Sequence, residues 1–240
     1  MPRTPNIVIL TGAGISAESG VPTFRAADGL WEGHRVEDVA TPEAFRRNPH
    51  LVQRFYDDRR AFLGKVQPNA AHVALARLDA AWPKGDRGEL LLVTQNVDDL
   101  HDRAGSNRLL HMHGELLSAL CTACGVARPW HGPLLEPHSC PACTRPGSLR
   151  PDIVWFGEMP YHMDTILKAI SRCDLFVSIG TSGAVYPAAG FVAQAREAGA
   201  DTLELNLEPS AGTPMFAEAR HGPAGTLVPA WVDELLATLA

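Results

Sequence analysis

The chain has 240 residues, 45% of them hydrophobic and 20% charged, which is enough for one substantial core plus an insertion and excludes a disordered or fibrous protein. A net charge of −6 supplies no global basic field, which argues against nucleic acid or an anionic membrane surface as the main partner; the Arg46–Arg47 and Arg59–Arg60 pairs read as solvated helix faces. The apolar run Ile7–Leu10 is too short for a signal-peptide core, and no stretch approaches the roughly 20 apolar residues of a transmembrane helix. The expectation is a cytoplasmic protein whose five cysteines stay reduced and build no disulfide framework.

In chain order, Asn6–Thr11 (NIVILT) is a short β-branched run that ends in glycine and predicts a buried strand feeding a tight loop. Gly12-Ala13-Gly14-Ile15-Ser16-Ala17 then fits G-x-G-x-x-G/A, whose glycines let backbone N–H groups approach a pyrophosphate at a helix N-terminus. The acidic residue that ordinarily ends a second strand about 20 residues further on is missing. Glu32, Glu37 and Asp38 stand near that distance, but on no visible strand. Ser19 to Arg25 follow instead and read as a loop over the ligand, so the pattern predicts a variant nucleotide site rather than an ordinary dehydrogenase.

Trp31 to Val66 shows no convincing strand and reads as two helices, opening at Thr41-Pro42-Glu43 and at Asn48-Pro49. Ala70–Ala81 predicts a helix behind the cap Asn69, and Glu89–Thr94 a strand. Ala119 to Gly147 is rich in Cys, Pro, Gly and His, and too irregular to build its own hydrophobic core. Further on, Asp164–Ser171 and Ala188–Ala198 read as helices, and Asp174–Gly180, Thr202–Asn206 and Thr226–Val228 as strands. The last helix is expected after Pro229. Strands alternating with helices predict an α/β fold, a Rossmann-like parallel sheet with helices on both faces. Residues 1–32, 66–118 and 148–240 would form it, with a helical insertion at 33–65 and a metal-binding module at 119–147.

Within that module, Cys121-x2-Cys124, fifteen residues, then Cys140-x2-Cys143 matches the spacing of four-thiolate zinc sites. Each C-x2-C turn puts two sulfurs on one side, and two turns complete a tetrahedron. The metal then supplies folding energy that so short a stretch lacks. A redox C-x-x-C pair needs no second copy. Four thiolates also leave zinc no open position for a reactant, so the metal is structural. Cys173 stands outside the pattern as a small buried residue.

The order of GAGIS at 12–16, GVPTFR at 20–25, TQNVDDLH at 94–101, HMHGEL at 111–116, the paired C-x2-C and GTSGAVYPAAGF at 180–191 resembles that of the sirtuins. These are NAD-dependent protein-lysine deacylases, and the resemblance covers almost the whole chain. LRPDIVWFGE at 149–158 and RAADGLW at 25–31 make it most similar to the bacterial class III branch, in which Tyr-x-x-Arg recognises acidic acyl groups; here it reads Tyr56-Asp57-Asp58-Arg59. One departure is Asp99, where many sirtuins have glycine.

The resemblance implies that the acyl oxygen of a lysine amide joins C1′ of the NAD ribose, that nicotinamide leaves, and that a ribose hydroxyl then attacks the acyl carbon to give 2′-O-acyl-ADP-ribose. It assigns catalysis to His113, Asn96 and Asp98: His113 as the ribose base in histidine's natural pKa range, Asp98 to the nicotinamide amide, Asn96 to the ribose or a water. It assigns NAD contacts to Gly12, Ala13, Gly14, Ile15, Ser16, Glu18, Gly20, Pro22, Thr23, Phe24, Arg25, Gln95, Val97, Gly180, Thr181, Ser182, Asn206, Leu207, Glu208 and Ala224. Ile153, Val154, Trp155, Phe156 and Gly157 resemble the segment that pairs with substrate peptide by strand addition. Tyr56 and Arg59, three apart on one helix face, would grip the carboxylate of a succinyl- or malonyl-lysine, and Ala27 leaves room for the acyl group. His72, His101 and the other histidines read as structural. Acylated-lysine proteins or peptides are the expected partners, with NAD as co-substrate and one zinc; the oligomeric state is not legible. A mono-ADP-ribosyltransferase, or a module that only binds NAD or ADP-ribose, remains as an alternative.

Overall fold

Uninterrupted Ile, Val and Leu are what a strand buried on both faces requires, and they recur in the computed structural model, which describes residues 4–23, 30–31, 33–83 and 88–239. The elements run β1 (Ile7–Thr11), β2 (Leu30–Trp31), β3 (His34–Arg35), α1 (Val36–Val39), α2 (Pro42–Arg47), α3 (Pro49–Leu63), α4 (Ala70–Ala81), β4 (Leu90–Thr94), α5 (Leu100–Ala104), β5 (Leu109–His111), β6 (Gly114–Cys121), β7 (Ala127–Pro129), β8 (Leu149–Ile153), α6 (Met163–Ile170), β9 (Leu175–Ile179), α7 (Phe191–Glu197), β10 (Asp201–Asn206), β11 (Glu218–His221) and α8 (Ala224–Ala237). Six strands pair in the order β11-β10-β9-β1-β4-β5, every pair parallel. From β1 the chain runs outward to β4 and β5; it then returns to β9 and runs the other way. The loops therefore part at the carboxyl ends of β1 and β9, where open α/β sheets bind ligands.

Alternate strand residues face two cores. Ile7, Ile9, Val177, Ile179, Leu203 and Leu205 pack with Leu75 and Leu78 of α4 and Val228, Trp231 and Val232 of α8. Val8, Leu10 and Phe176 pack with Ile166 and Ile170 of α6 and Val192 of α7 on the other face. Truncating one such buried Ile or Leu to Ala costs about 2–5 kcal/mol. Among the described residues, no helix is long and apolar enough to cross a membrane.

The caps fall where the sequence places them. Thr41 Oγ1 accepts Ala44 N–H at 3.0 Å and Asn48 Oδ1 accepts Leu51 N–H at 3.1 Å; each helix then starts on proline. Asn69 closes a capping box with His72.

Four expectations are corrected. Thr226–Val228 is helical, not extended: α8 starts at Ala224 and carries Pro229 inside it. Burying Val228, Trp231 and Val232 on one face outweighs the amide lost at proline. The outer strand is instead Glu218–His221, a polar edge segment with no apolar pattern to betray it. Between Trp31 and Val66 a two-residue hairpin, β2–β3, precedes the helices; it is too short to show a period.

Arg59 and Arg60 do not form a solvated helix face. Arg46 and Arg47 are exposed, but Arg60 is 5% exposed, paired with Asp57 and donating to Leu116 O at 2.7 Å. Asp57 in turn accepts the N–H groups of Leu134 and Leu135, each at 2.8 Å. The helical insertion is thus bolted to the cysteine-bearing region. They share one core, in which Val39, Val52, Phe55, Tyr56 and Leu63 meet Leu116, Ile153 and Trp155. That region carries an antiparallel sheet, β7-β6-β8, and its own core is only Ala119, Leu134, Leu149 and two of the cysteines.

Candidate active site and metal centre

Backbone meets backbone at the carboxyl ends of β1 and β9. Gly12 N–H donates to Ile179 O at 3.0 Å and Gly14 N–H to Gly180 O at 2.8 Å. A methyl group on Gly14 would lie 2.7 Å from the Cα of Gly180, and one on Gly180, whose φ is +63°, would lie 2.5 Å from the N of Ile15. Both contacts are closer than real Cβ atoms allow, so the junction requires glycine. Ala13 to Ser19 form a 3-10 helix that buries Ile15 and Ser16 and closes at Gly20. Pro22 is exposed and Thr23 half-buried; Phe24, Arg25, Ala27 and Glu32 lie outside the described residues.

Ser16 is the hub of a buried polar network. Its hydroxyl donates to Asp98 Oδ2 at 3.0 Å and accepts Asn96 Nδ2 at 3.1 Å. The same hydroxyl lies 3.4 Å from His72 Nε2. His72 Nδ1 faces the Asn69 N–H at 3.3 Å and the Asn69 Oδ1 at 3.1 Å. Burial drives the His72 pKa down to about 4. Behind it, Thr11 donates to Thr94 Oγ1 at 2.9 Å and lies 3.0 Å from His101 Nε2. Thr94 Oγ1 also takes the Asn96 N–H at 3.1 Å. Burial lowers the pKa of His101 well below the usual histidine range, aided by His72 and His111. Burial raises that of Asp98 and the neighbouring Asp99 adds to it, against the Leu100 N–H and the Ser16 hydroxyl.

His113, between β5 and β6, places Nδ1 3.1 Å from Gln95 O. Burial lowers its pKa, and the Gln95 carbonyl opposes the shift. His111 turns instead to Asp102, Nε2 to Oδ2 at 3.0 Å; burial disfavours its charge, yet Asp102 and Glu115 carry the balance upward. Val97 O accepts Leu116 N–H at 2.8 Å, joining the loop after β4 to β6.

On the other side of the crevice, Asn206 Nδ2 donates to Thr181 O at 2.8 Å and Leu207 is exposed, as is Glu208. Ser182 O accepts Ala211 N–H at 3.1 Å. Glu18 Oε1 accepts Gly225 N–H at 2.8 Å, which brings it beside Ala224 at the start of α8. Contacts thus join the glycine loop to Gly180, Asn206 to Thr181, and Glu18 to the start of α8.

Tyr56 and Arg59 share the face of α3 that the sequence assigns them. Tyr56 is fully buried, and its phenol oxygen accepts Trp155 Nε1 at 3.0 Å. Burial raises the phenol pKa, against the Trp155 hydrogen bond and the Arg59 and Arg150 charges. The Arg59 guanidinium lies 3.2 Å over the Phe55 ring, and its Nη1 donates to Phe55 O at 2.6 Å. Of the segment 153–157, Ile153 pairs with Gly114, Val154 N–H donates to His113 O at 2.9 Å and Phe156 N–H to Ala40 O at 3.0 Å. Trp155 is buried under Arg150, whereas Phe156 is exposed and Gly157 adopts φ +91°.

Sequence reading did not place Asn69, His72, Thr11 or Thr94 in the site. The one signal was the spacing of Asn69 and His72, which marks the start of α4 and hides a second use of both side chains. Asn69 Nδ2 also donates to Ile15 O at 2.7 Å, tying that helix to the glycine loop.

The metal centre fits its ion. A regular tetrahedron with bonds of about 2.3 Å sets sulfurs about 3.8 Å apart. Here Cys121 and Cys143 Sγ are 3.7 Å apart and Cys124 and Cys140 Sγ 3.9 Å, with all four within 4.8 Å. The two turns repeat one geometry: Ala123 N–H and Ala142 N–H each approach the preceding cysteine sulfur at 3.4 Å. Gly125 and Thr144 each follow in the left-handed region, at φ +72° and +59°. The set suits a structural zinc, and its four thiolates complete the coordination.

The pattern of the Sir2 family matches residues 12–187. The chain is 57% identical over 238 residues to an NAD-dependent protein deacylase of Salmonella typhimurium strain LT2, covering 98% of this chain and 86% of that protein. It superposes with a TM-score of 0.86 on a crystal structure of a Sir2 homolog–NAD complex, at 37% identity, covering 98% of this chain and 91% of the other. A Sir2 structure holding a deacetylated p53 peptide and 3′-O-acetyl ADP-ribose superposes at 0.81 with 26% identity, covering 95% and 93%. The crevice between β1 and β9, the histidine at its edge and the four-cysteine centre beyond it are therefore those of a chain that belongs to the Sir2 family.

Proposed function

We propose that this protein removes acyl groups from protein lysines with NAD as co-substrate, and that succinyl and malonyl groups are taken as well as acetyl. One relationship carries the reading: His113 sits on the Gln95 carbonyl, at the same strand ends as the Ser16–Asn96–Asp98 network. NAD supplies an electrophilic ribose carbon and the nicotinamide leaving group. Gly12 to Gly20 together with Gly180-Thr181-Ser182 hold its phosphates at the glycine junction, while Asn206 to Glu208, Glu18 and Ala224 flank the adenosine.

Asp98 receives the carboxamide end, held by Ser16, and Asn96 orients the ribose or a water. With Nδ1–H directed at Gln95 O, the neutral imidazole of His113 offers Nε2 to accept a ribose proton. Tyr56 and Arg59 meet the acyl carboxylate, the guanidinium supplying charge and the phenol a fixed wall. Ile153 to Gly157 receive the peptide backbone as an added strand. The nucleotide part comprises 1–32, 66–118 and 148–240; the insertion 33–65 and the module 119–147 close over it in the cytoplasm.

The test is incubation with NAD and a succinyl-lysine peptide, followed by mass spectrometry. Loss of the acyl mass together with 2′-O-succinyl-ADP-ribose is expected. Added ADP-ribose mass with the acyl group retained would make the protein a transferase to protein instead, and binding without turnover would make it a nucleotide-binding module.

A further inference from the structure

Glu204 lies in the middle of β10 at 1% exposure. A carboxylate so buried is costly unless donors meet both oxygens. Here Oε1 takes the Ser210 hydroxyl and Oε2 the Thr213 hydroxyl at 2.5 Å, with His221 Nε2 at 3.5 Å. Both hydroxyls belong to the turn that follows β10, and that turn forms part of the crevice wall. Its Ala211 N–H donates to Ser182 O at 3.1 Å. Gly212 lies so close under Gly183 that a methyl group on Gly183 would reach 2.6 Å from its nitrogen. Ser210 and Gly212 line, with Gln95, Ser178 and Thr181, a small pocket at the strand ends.

Ser178, the cross-strand partner of Glu204, does the same for its own loop, holding the Thr181 hydroxyl at 2.8 Å. Each strand thus pins the loop that leaves it.

We infer that Glu204 is a positioning residue for the adenosine half of NAD: it touches no reactant, but clamps the 210–213 turn from beneath and so fixes the wall against which Ser182 and Gly183 stand. The inference rests on the reading of this crevice as the NAD site. Glu204→Gln keeps the volume and removes the charge that both hydroxyls point at. In the zinc-loaded protein without peptide, its Kd for ADP-ribose by calorimetry should rise about tenfold, one charge-assisted hydrogen bond's worth. Amide exchange over 209–214 should quicken in the ligand-free protein. KM for NAD should rise in parallel, with kcat at saturation and KM for the acyl-peptide within about twofold.

Ser210→Ala removes the same clamp from the solvent side and should move Kd in the same direction, so the inference stays testable if Glu204→Gln folds poorly. Unchanged Kd and exchange in both variants would overturn it. So would an equal fall in kcat and melting temperature at constant KM, the mark of a general core residue. Failure of the wild type to bind ADP-ribose would instead remove the nucleotide reading beneath it.

Discussion

His113 Nδ1 lies 3.1 Å from the carbonyl oxygen of Gln95, so one residue of the loop after β4 both borders the crevice and fixes the imidazole beside it. A carbonyl can only accept, which assigns the proton to Nδ1 and leaves Nε2 bare in the neutral ring. Because burial lowers the His113 pKa, the base form persists below pH 6.5, the ordinary histidine value.

His113→Phe keeps a ring in the pocket and removes the base. We expect kcat to fall by about 10²–10⁴, with zinc stoichiometry unchanged and the ADP-ribose Kd within about twofold. Turnover surviving at wild-type level would dismiss His113 from the chemistry.

Arg59→Met replaces the guanidinium with an apolar chain of similar length. Desuccinylation should drop by about ten- to a hundredfold in kcat/KM, the value of a hydrogen bond to a charged group, while deacetylation holds or improves. Parallel loss of both activities would reject the carboxylate clamp, and peptides differing only in the acyl group make the comparison.

At the metal centre, Thr144 occupies the left-handed position that Gly125 fills in the other turn. A β-branched residue is strained there by about 1–2 kcal/mol. Thr144→Gly should relieve part of this and slow zinc release to a chelator severalfold; faster release would contradict it. Removing zinc from the wild type should abolish turnover although no sulfur meets a reactant, since β6 runs from beside His113 to Cys121 and the metal holds its far end.

Acid should destabilise the fold. The His72 pKa falls from 6.5 to about 4 on burial, so the unfolded chain takes up the proton first as pH falls. The stabilisation is complete above pH 6.5 and is lost between 6.5 and about 4, by roughly 3 kcal/mol from this residue. His101 and His113 act in the same direction. His111, whose pKa is raised, opposes them: its contribution is present below 6.5 and lost as pH climbs through its folded value. Urea midpoints at pH 7 and pH 5 should differ clearly in the wild type and less in His72→Gln. A midpoint that does not move would show that the buried histidines are not neutral partners.

What was legible in the sequence was local. Ile7–Thr11 and Leu90–Thr94 declare buried parallel strands because nothing polar interrupts them; Thr41-Pro42, Asn48-Pro49 and Asn69 declare helix starts; four cysteines declare a tetrahedron. What stayed hidden depended on distant partners. Glu218–His221 is a strand only because β10 offers it an edge. The polar run Tyr56 to Arg60 looks solvated until Leu134, Leu135 and Leu116 supply its partners from the cysteine region. His72 reads as an ordinary helix residue because the Ser16 it serves is 56 positions away.

At the junction of Gly12, Gly14 and Gly180 no side chain stands between the two main chains, so no rotamer can take up slack there and no substitution can adjust it by degrees. That end of the crevice works as a fixed datum, like the reference face against which a workpiece is set. The insertion helix α3 is seated differently: its Arg60 and Asp57 side chains tie it to Leu116, Leu134 and Leu135, so its fit is open to adjustment one side chain at a time.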